Sequence, residues 1–107
     1  MDDVQIDGEE LNAALQAGQD VQILDVREGW EYTLARLAGA LWIPLAELEG
    51  RINELDRDRP LVVYCHHGIR SLHAVLALRS RGFETARSLR GGIDRWSQAI
   101  DPNTPRY

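Results

Sequence analysis

Leu61-Val62-Val63-Tyr64-Cys65-His66-His67-Gly68-Ile69-Arg70-Ser71 is the stretch on which the reading of this chain turns. Its first four residues are wholly apolar and predict a short strand at the buried centre of a parallel sheet. A turn built around Gly68 follows, and a helix is expected over residues 70–81. A cysteine at the end of such a strand meets backbone N–H groups and a helix N-terminus, and both favour negative charge. A lone cysteine is otherwise a small core hydrophobe. The turn, the arginine and the helix start argue instead for a reactive thiolate.

Outward from this stretch, strands and helices alternate. Asp7 and Glu10 have the spacing of a capping box ahead of a helix over residues 8–17, which Gly18 ends. Residues 21–26 read as a strand, residues 27–36 contain a short helix, and residues 40–43 form a brief strand stopped by Pro44. Leu45, Leu48, Ile52 and Leu55 repeat at helical spacing. The helix over residues 70–81 is apolar over most of its surface, which predicts deep packing. Residues 85–89 form a last strand, Gly91-Gly92 a turn, and residues 93–100 a final helix. The polar tail, about residues 101–107, carries two prolines and is expected to stay extended. The pattern predicts one α/β domain over residues 1–107: a central parallel five-stranded sheet with helices on both faces. Its site belongs at the carboxyl ends of the strands, where Asp25 and Cys65 fall.

The 107 residues carry a net charge of −5, which argues against a nucleic-acid partner. The charge is uneven: residues 1–64 sum to −9 and residues 65–107 to +4. The half with Cys65 is the positive one, which suits a small anionic substrate. Every basic residue is an arginine, so Schiff-base chemistry and a complete phosphate-binding P-loop are excluded. One cysteine forms no internal disulfide and fits a reducing compartment. The N-terminal Met1-Asp2-Asp3-Val4-Gln5-Ile6 is neither a secretory leader nor a membrane span, so a cytoplasmic protein without membrane association is expected.

Four residues, His66, His67, Gly68 and Ile69, separate Cys65 from Arg70. A turn of this size can aim successive N–H groups inward as an anion nest. Gly68 permits the backbone conformation, Arg70 adds a permanent fork-shaped cation, and Ser71 can donate a hydrogen bond to a thiolate. Here the chain resembles a rhodanese homology domain, in particular a single-domain thiosulfate sulfurtransferase. Leu24-Asp25-Val26-Arg27 with Glu31-Tyr32 resembles that family's first signature. Gly39-Ala40 and Ile43-Pro44 resemble its "GHIPGA…IP" segment, although Ala35, Arg36 and Ala38 replace the usual Gly, His and Pro. Residues 65–71 resemble its active loop in the paired-histidine form. Gly82-Phe83, Leu89, Gly91-Gly92 and Trp96 resemble its closing pattern.

The resemblance implies a rhodanese-like fold and two half-reactions. Cys65 would take sulfane sulfur from thiosulfate or a similar anionic donor as a persulfide. A thiol, cyanide or carrier protein would then accept it. Cys65 is the implied nucleophile, and the loop from His66 through His67, Gly68, Ile69 and Arg70 to Ser71 is the implied substrate cradle. An ordinary thiol titrates near ~8.5 and such settings lower it, so no dedicated base is needed. No cofactor is implied. Neither the pair His66-His67 nor the gap to His73 has usual ligand spacing, so no metal is expected.

His66 and His67 either add positive charge at the pocket mouth or are simply tolerated there. His73 is expected to pack inside its helix. Asp25 either positions an arginine near the loop or caps the next helix, with a structural role preferred. Trp30, Trp42 and Trp96 read as core or half-buried, with Trp30 also placed to border the pocket. Two rival functions remain. Dual-specificity phosphatases share the fold but hold one more residue between cysteine and arginine, so a cysteine phosphatase or arsenate reductase is less favoured. A binding or sulfur-delivery module for a partner protein is the other rival. Inactive modules typically lose the cysteine, and this chain keeps it.

Overall fold

A computed structural model describes residues 4–107. The part of the N-terminal leader reading that rests on residues 1–3 lies outside them. In chain order the elements are β1 (Gln5–Ile6), α1 (Gly8–Gln16), β2 (Gln22–Asp25), α2 (Gly29–Leu34), β3 (Leu41–Trp42), β4 (Leu61–Tyr64), α3 (Ile69–Ser80), β5 (Arg87–Leu89) and α4 (Gly92–Ala99). The five strands form one parallel sheet in the order β1-β5-β4-β2-β3. β4 lies at the centre, as its unbroken apolar run predicts, and all four of its residues are buried.

Alternation along the strands divides the core between the two faces. Leu61, Val63 and Cys65 join Leu24 and Val26 in a cluster with Ala74, Val75 and Leu78 of α3. Val62 and Tyr64 face the other way and join Ile23, with Leu11 of α1 and Ile93 and Trp96 of α4. Helices therefore cover both faces. Among the described residues, no helix is long and apolar enough to cross a membrane.

Four sequence expectations change in the fold. The Asp7 side chain makes no cap to α1 and instead accepts from Arg90 at 2.8 Å. The leucine repeat after β3 forms 3₁₀ helix over Leu45–Glu47 and Glu49–Glu54. Leu45/Leu48 and Ile52/Leu55 are each three residues apart, and three residues per turn bring such pairs onto one side. α3 packs by one stripe only, Ser71, Ala74, Val75 and Leu78, while His73 and Leu76 are exposed. Apolar residues over most of the helix surface predict deep packing, but only one face meets the sheet. His73 is thus a surface residue rather than a packed one.

The fourth change is the tail. Asp101 accepts from the Asn103 N–H at 3.0 Å and from the Thr104 hydroxyl at 3.2 Å, which closes a turn. The chain then folds back along the molecule instead of extending, and Thr104 is buried. Tyr107 reaches Arg27 and Glu31, as the next section describes.

Candidate functional site

β4 delivers Cys65 to the carboxyl edge of the sheet and α3 begins four residues later. The sulfur is almost fully enclosed, at 1% exposure. Two backbone N–H groups point at Sγ, from Gly68 at 3.2 Å and Ser71 at 3.3 Å. They belong to the turn and the first turn of α3, whose N–H groups have no partner within the helix. Such an arrangement stabilises negative charge at the sulfur. The Ser71 hydroxyl lies 3.4 Å from Sγ and 2.7 Å from the buried Ser88 hydroxyl on β5. Ser88 was not singled out in the sequence. It lies beside Arg87 in a short mixed strand, and nothing in the sequence there distinguishes it.

The loop is held from behind by α4. The N–H groups of Ile93 and Asp94 donate to the carbonyls of Cys65 at 2.9 Å and His66 at 3.0 Å. Trans peptides direct the N–H groups of His66 and His67 away from α4, so the loop carbonyls and amides face opposite ways. This approach needs Gly92. A Cβ there would lie 2.4 Å from the His66 carbonyl oxygen and 2.5 Å from that of Cys65, and φ is +61°. Gly92→Ala is therefore expected to cost about 2–3 kcal/mol in urea unfolding, from left-handed strain and overpacking together. An unchanged midpoint would show that the loop moves aside freely.

Arg70 sits on the first turn of α3 and does not stand free. Its Nη1 and Nη2 donate to Glu31 Oε1 and Oε2 at 2.7 and 2.9 Å. Glu31, on α2, is buried. It also accepts from the Tyr107 hydroxyl at 2.7 Å, and its Oε1 accepts from the Glu28 N–H at 3.0 Å. Burial alone would push the Glu31 carboxyl up. The Arg70 fork, the Glu28 N–H and the Tyr107 hydroxyl outweigh it and hold the group at about 2. The Glu31 hydrogen bonds and its charge raise Arg70 in turn, with a further contribution from nearby Cys65. Two of the five guanidinium N–H groups of Arg70 serve Glu31, which leaves others for an anion. The sequence reading quoted Glu31 as part of a motif and assigned it no role.

Asp25 does not cap α2. Glu28 does, through a capping box with Glu31. Asp25 instead grips Arg27 inside the protein: Oδ1 accepts from Arg27 N and Nε, both at 2.9 Å, and Oδ2 from Nη2 at 2.7 Å. The Tyr64 hydroxyl donates to Oδ2 at 2.8 Å. Both side chains of the Asp25–Arg27 pair are wholly buried. Arg27 Nη2 also donates to the Ala35 carbonyl, and Nη1 to the Tyr107 hydroxyl at 2.8 Å. The preferred helix-capping role thus gives way to the other reading, an aspartate that positions an arginine.

His66 lies between two rings, His67 and Tyr107, with both centroid separations 4.0 Å. Burial first, then the neighbouring His67, hold its imidazole below the usual value. His66 therefore offers a neutral stacking surface at pH 7 rather than charge. His67 and Ile69 project into solvent. Trp30 is also exposed and stands edge-on to Tyr107 at 5.8 Å, so it borders the loop rather than lying half-buried. Trp42 is half-buried and Trp96 buried. One group of metal-ligating side chains forms that the spacing did not suggest, because Asp94 comes from α4. His66, His67 and Asp94 bring one ligand atom each within 4.8 Å of one another. Both oxygens of Asp94 are already engaged, Oδ1 by Arg106 Nε at 3.1 Å and Oδ2 by Gln98 Nε2 at 2.9 Å. The group therefore reads as a polar network around Asp94, with Arg106 as its ion-pair partner.

The sequence pattern described as Rhodanese-like domain matches residues 7–99. A thiosulfate sulfurtransferase GlpE of Shewanella oneidensis is 40% identical over 81 residues, covering 76% of this chain and 80% of the relative. An adenylyltransferase and sulfurtransferase MOCS3 of Arabidopsis thaliana is 33% identical over 118 residues. That match covers 95% of this chain but only 25% of the relative's length. Among solved structures, a rhodanese-like domain protein from Staphylococcus aureus superposes with a TM-score of 0.85 at 26% identity, covering 100% of this chain and 99% of its own.

Proposed function

Since the chain belongs to the rhodanese-like domain family of sulfurtransferases, we propose that it is a thiosulfate sulfurtransferase working through a persulfide on Cys65, with residues 1–107 as one catalytic domain. The observation that carries this reading is the pair of N–H groups aimed at the sulfur of Cys65 beside an arginine. In the first half-reaction the Cys65 thiolate attacks the outer sulfur of thiosulfate. A new S–S bond forms, the old S–S bond breaks, and sulfite leaves with its electron pair. The terminal sulfur keeps its negative charge in the loop, facing the N–H groups of residues 66–71. In the second half-reaction an acceptor nucleophile attacks the terminal sulfur and the Cys65 thiolate is released. Neither step changes the total charge or requires an oxidant.

Arg70 has the role of holding the donor's sulfonate beside Cys65 with the N–H groups that Glu31 leaves free. Arg70→Ala should raise KM for thiosulfate by about 10- to 100-fold, the scale of one hydrogen bond to a charged group, while persulfide still forms at saturating donor. Steady-state kinetics check this, and an unchanged kcat/KM would remove Arg70 from donor binding. On the acceptor side, exposed Ile69 and Trp30 give the mouth an apolar rim. That rim suits a thiol or a carrier protein as the physiological acceptor.

The deciding experiment is the intact mass of the reduced protein after brief thiosulfate exposure and again after cyanide. A gain of one sulfur atom, discharged as thiocyanate, is the expected result. No gain with thiosulfate, together with hydrolysis of a phosphate ester or reduction of arsenate, would move the assignment to the related phosphatase chemistry.

A further inference from the structure

Tyr107 is a side chain at the site that the proposed chemistry leaves without a part. Its hydroxyl accepts from Arg27 Nη1 at 2.8 Å and donates to Glu31 Oε2 at 2.7 Å. A phenol has a single proton to give, so between a guanidinium and a carboxylate only one orientation satisfies both neighbours. Burial first, and the Glu31 carboxylate, push this phenol up to about 12 against the pull of Arg27. It stays protonated across neutral pH. The ring is fixed as well, stacked on His66 with planes 11° apart and edge-on to Trp30.

The hydroxyl thus separates two opposite charges bound to the same oxygen. Arg27 is buried and pinned by Asp25, so it cannot move toward Glu31. Glu31 is the other charged partner of that oxygen, and its remaining hydrogen bonds come from Arg70 and the Glu28 N–H. Were the oxygen absent, Arg27 Nη1 would lose its acceptor inside the protein, and Glu31, which shares that hydroxyl, is a carboxylate on its far side. A buried donor left without a partner is costly, so the carboxylate is drawn toward Arg27. Each step in that direction loosens its two hydrogen bonds to Arg70.

We propose that Tyr107 is a positioning residue for anion binding at Cys65: its hydroxyl satisfies Arg27, so that Glu31 remains free to hold Arg70 beside the sulfur. This deepens the reading of Cys65 and Arg70 as a sulfur-donor site and rests on it. Tyr107 touches neither the sulfur nor the donor and acts through Glu31.

Iodoacetate and iodoacetamide test this without sulfur chemistry. Both alkylate the single cysteine with loss of iodide, and they differ by one carboxylate. The ratio of their rates therefore reads how firmly the site grips an anion. Tyr107→Phe, which keeps the ring on His66, should lower that ratio about tenfold, the entropy cost of ordering one freed arginine side chain. KM for thiosulfate should rise by a similar factor with kcat unchanged. Tyr107→Leu removes the ring too and should give the same ratio, because the hydroxyl is what acts on Arg70. In an Arg70→Ala background, Tyr107→Phe should change the ratio no further, since the two residues work as one unit. An unchanged ratio in Tyr107→Phe overturns the proposal. So does a drop of equal size in the Arg70→Ala background, which would mark a merely structural role. If wild type formed no persulfide, the sulfur reading would fall, while the alkylation ratios would still decide the part played by Tyr107.

Discussion

Cys65→Ser is expected to take up no sulfur from thiosulfate and to lose turnover by on the order of 10⁶-fold, the scale seen when a covalent nucleophile is deleted. The chain holds no second cysteine that could carry the sulfur instead. The substitution is well suited to the question because it spares the fold. A serine oxygen can accept the same N–H groups from Gly68 and Ser71 that now meet Sγ, and it can remain hydrogen-bonded to the Ser71 hydroxyl. A hydroxyl is far less ionised than a thiol at neutral pH, and the anion is the attacking form. The anion cradle is therefore left standing with nothing in it to attack the donor. Intact mass after thiosulfate, thiocyanate release and a thermal melt together check the prediction. Sulfur on the serine variant, or thiocyanate at the wild-type rate, would place the chemistry elsewhere.

The second large effect is on stability. Asp25→Asn should destabilise the protein by about 3–5 kcal/mol, measured by urea unfolding, because it leaves the buried Arg27 guanidinium without its counter-charge. Domains of this kind are typically stable by only about 5–15 kcal/mol, so the variant would be near its limit at physiological temperature. The loss reflects one stranded charge rather than the worth of the pair. The double substitution Asp25→Leu with Arg27→Met removes both charges, and it should recover at least half of the lost stability. The Tyr64 and Tyr107 hydroxyls each lose a partner in that double variant, which keeps recovery from being complete. A single variant as stable as wild type, or a double variant worse than the single, would contradict this account.

What the sequence made legible was whatever depends on near neighbours. The apolar run of Leu61–Tyr64, the turn at Gly68 and the helix after it are local signals, and they placed Cys65 at the sheet edge where it lies. The order of elements from α1 onward followed from the same kind of signal, whereas the two-residue strand β1 carried too little of it to be assigned. Pairings over long sequence distances were not legible. Glu31 meets Arg70 across 39 residues and Tyr107 across 76, and nothing in either segment announces the other. Two prolines and polar composition made the tail read as extended, whereas the turn at Asp101 sends it back. α3 erred in the opposite sense: its exposed Leu76 carried the same apolar signal as its buried neighbours.

The attachment of the loop to α4 has a further consequence. The loop's shape is maintained by main-chain groups and by glycines 68 and 92, not by the side chains at 66, 67 and 69. Positions 67 and 69 stand exposed at the opening while contributing little to the loop's backbone bonds. A lineage could therefore exchange them to suit a new sulfur acceptor without first rebuilding the anion cradle. The same architecture makes the glycines intolerant of change, so drift at the rim and constancy underneath would coexist within a few residues. Recognition in this protein is built to be revised, on a scaffold that is not.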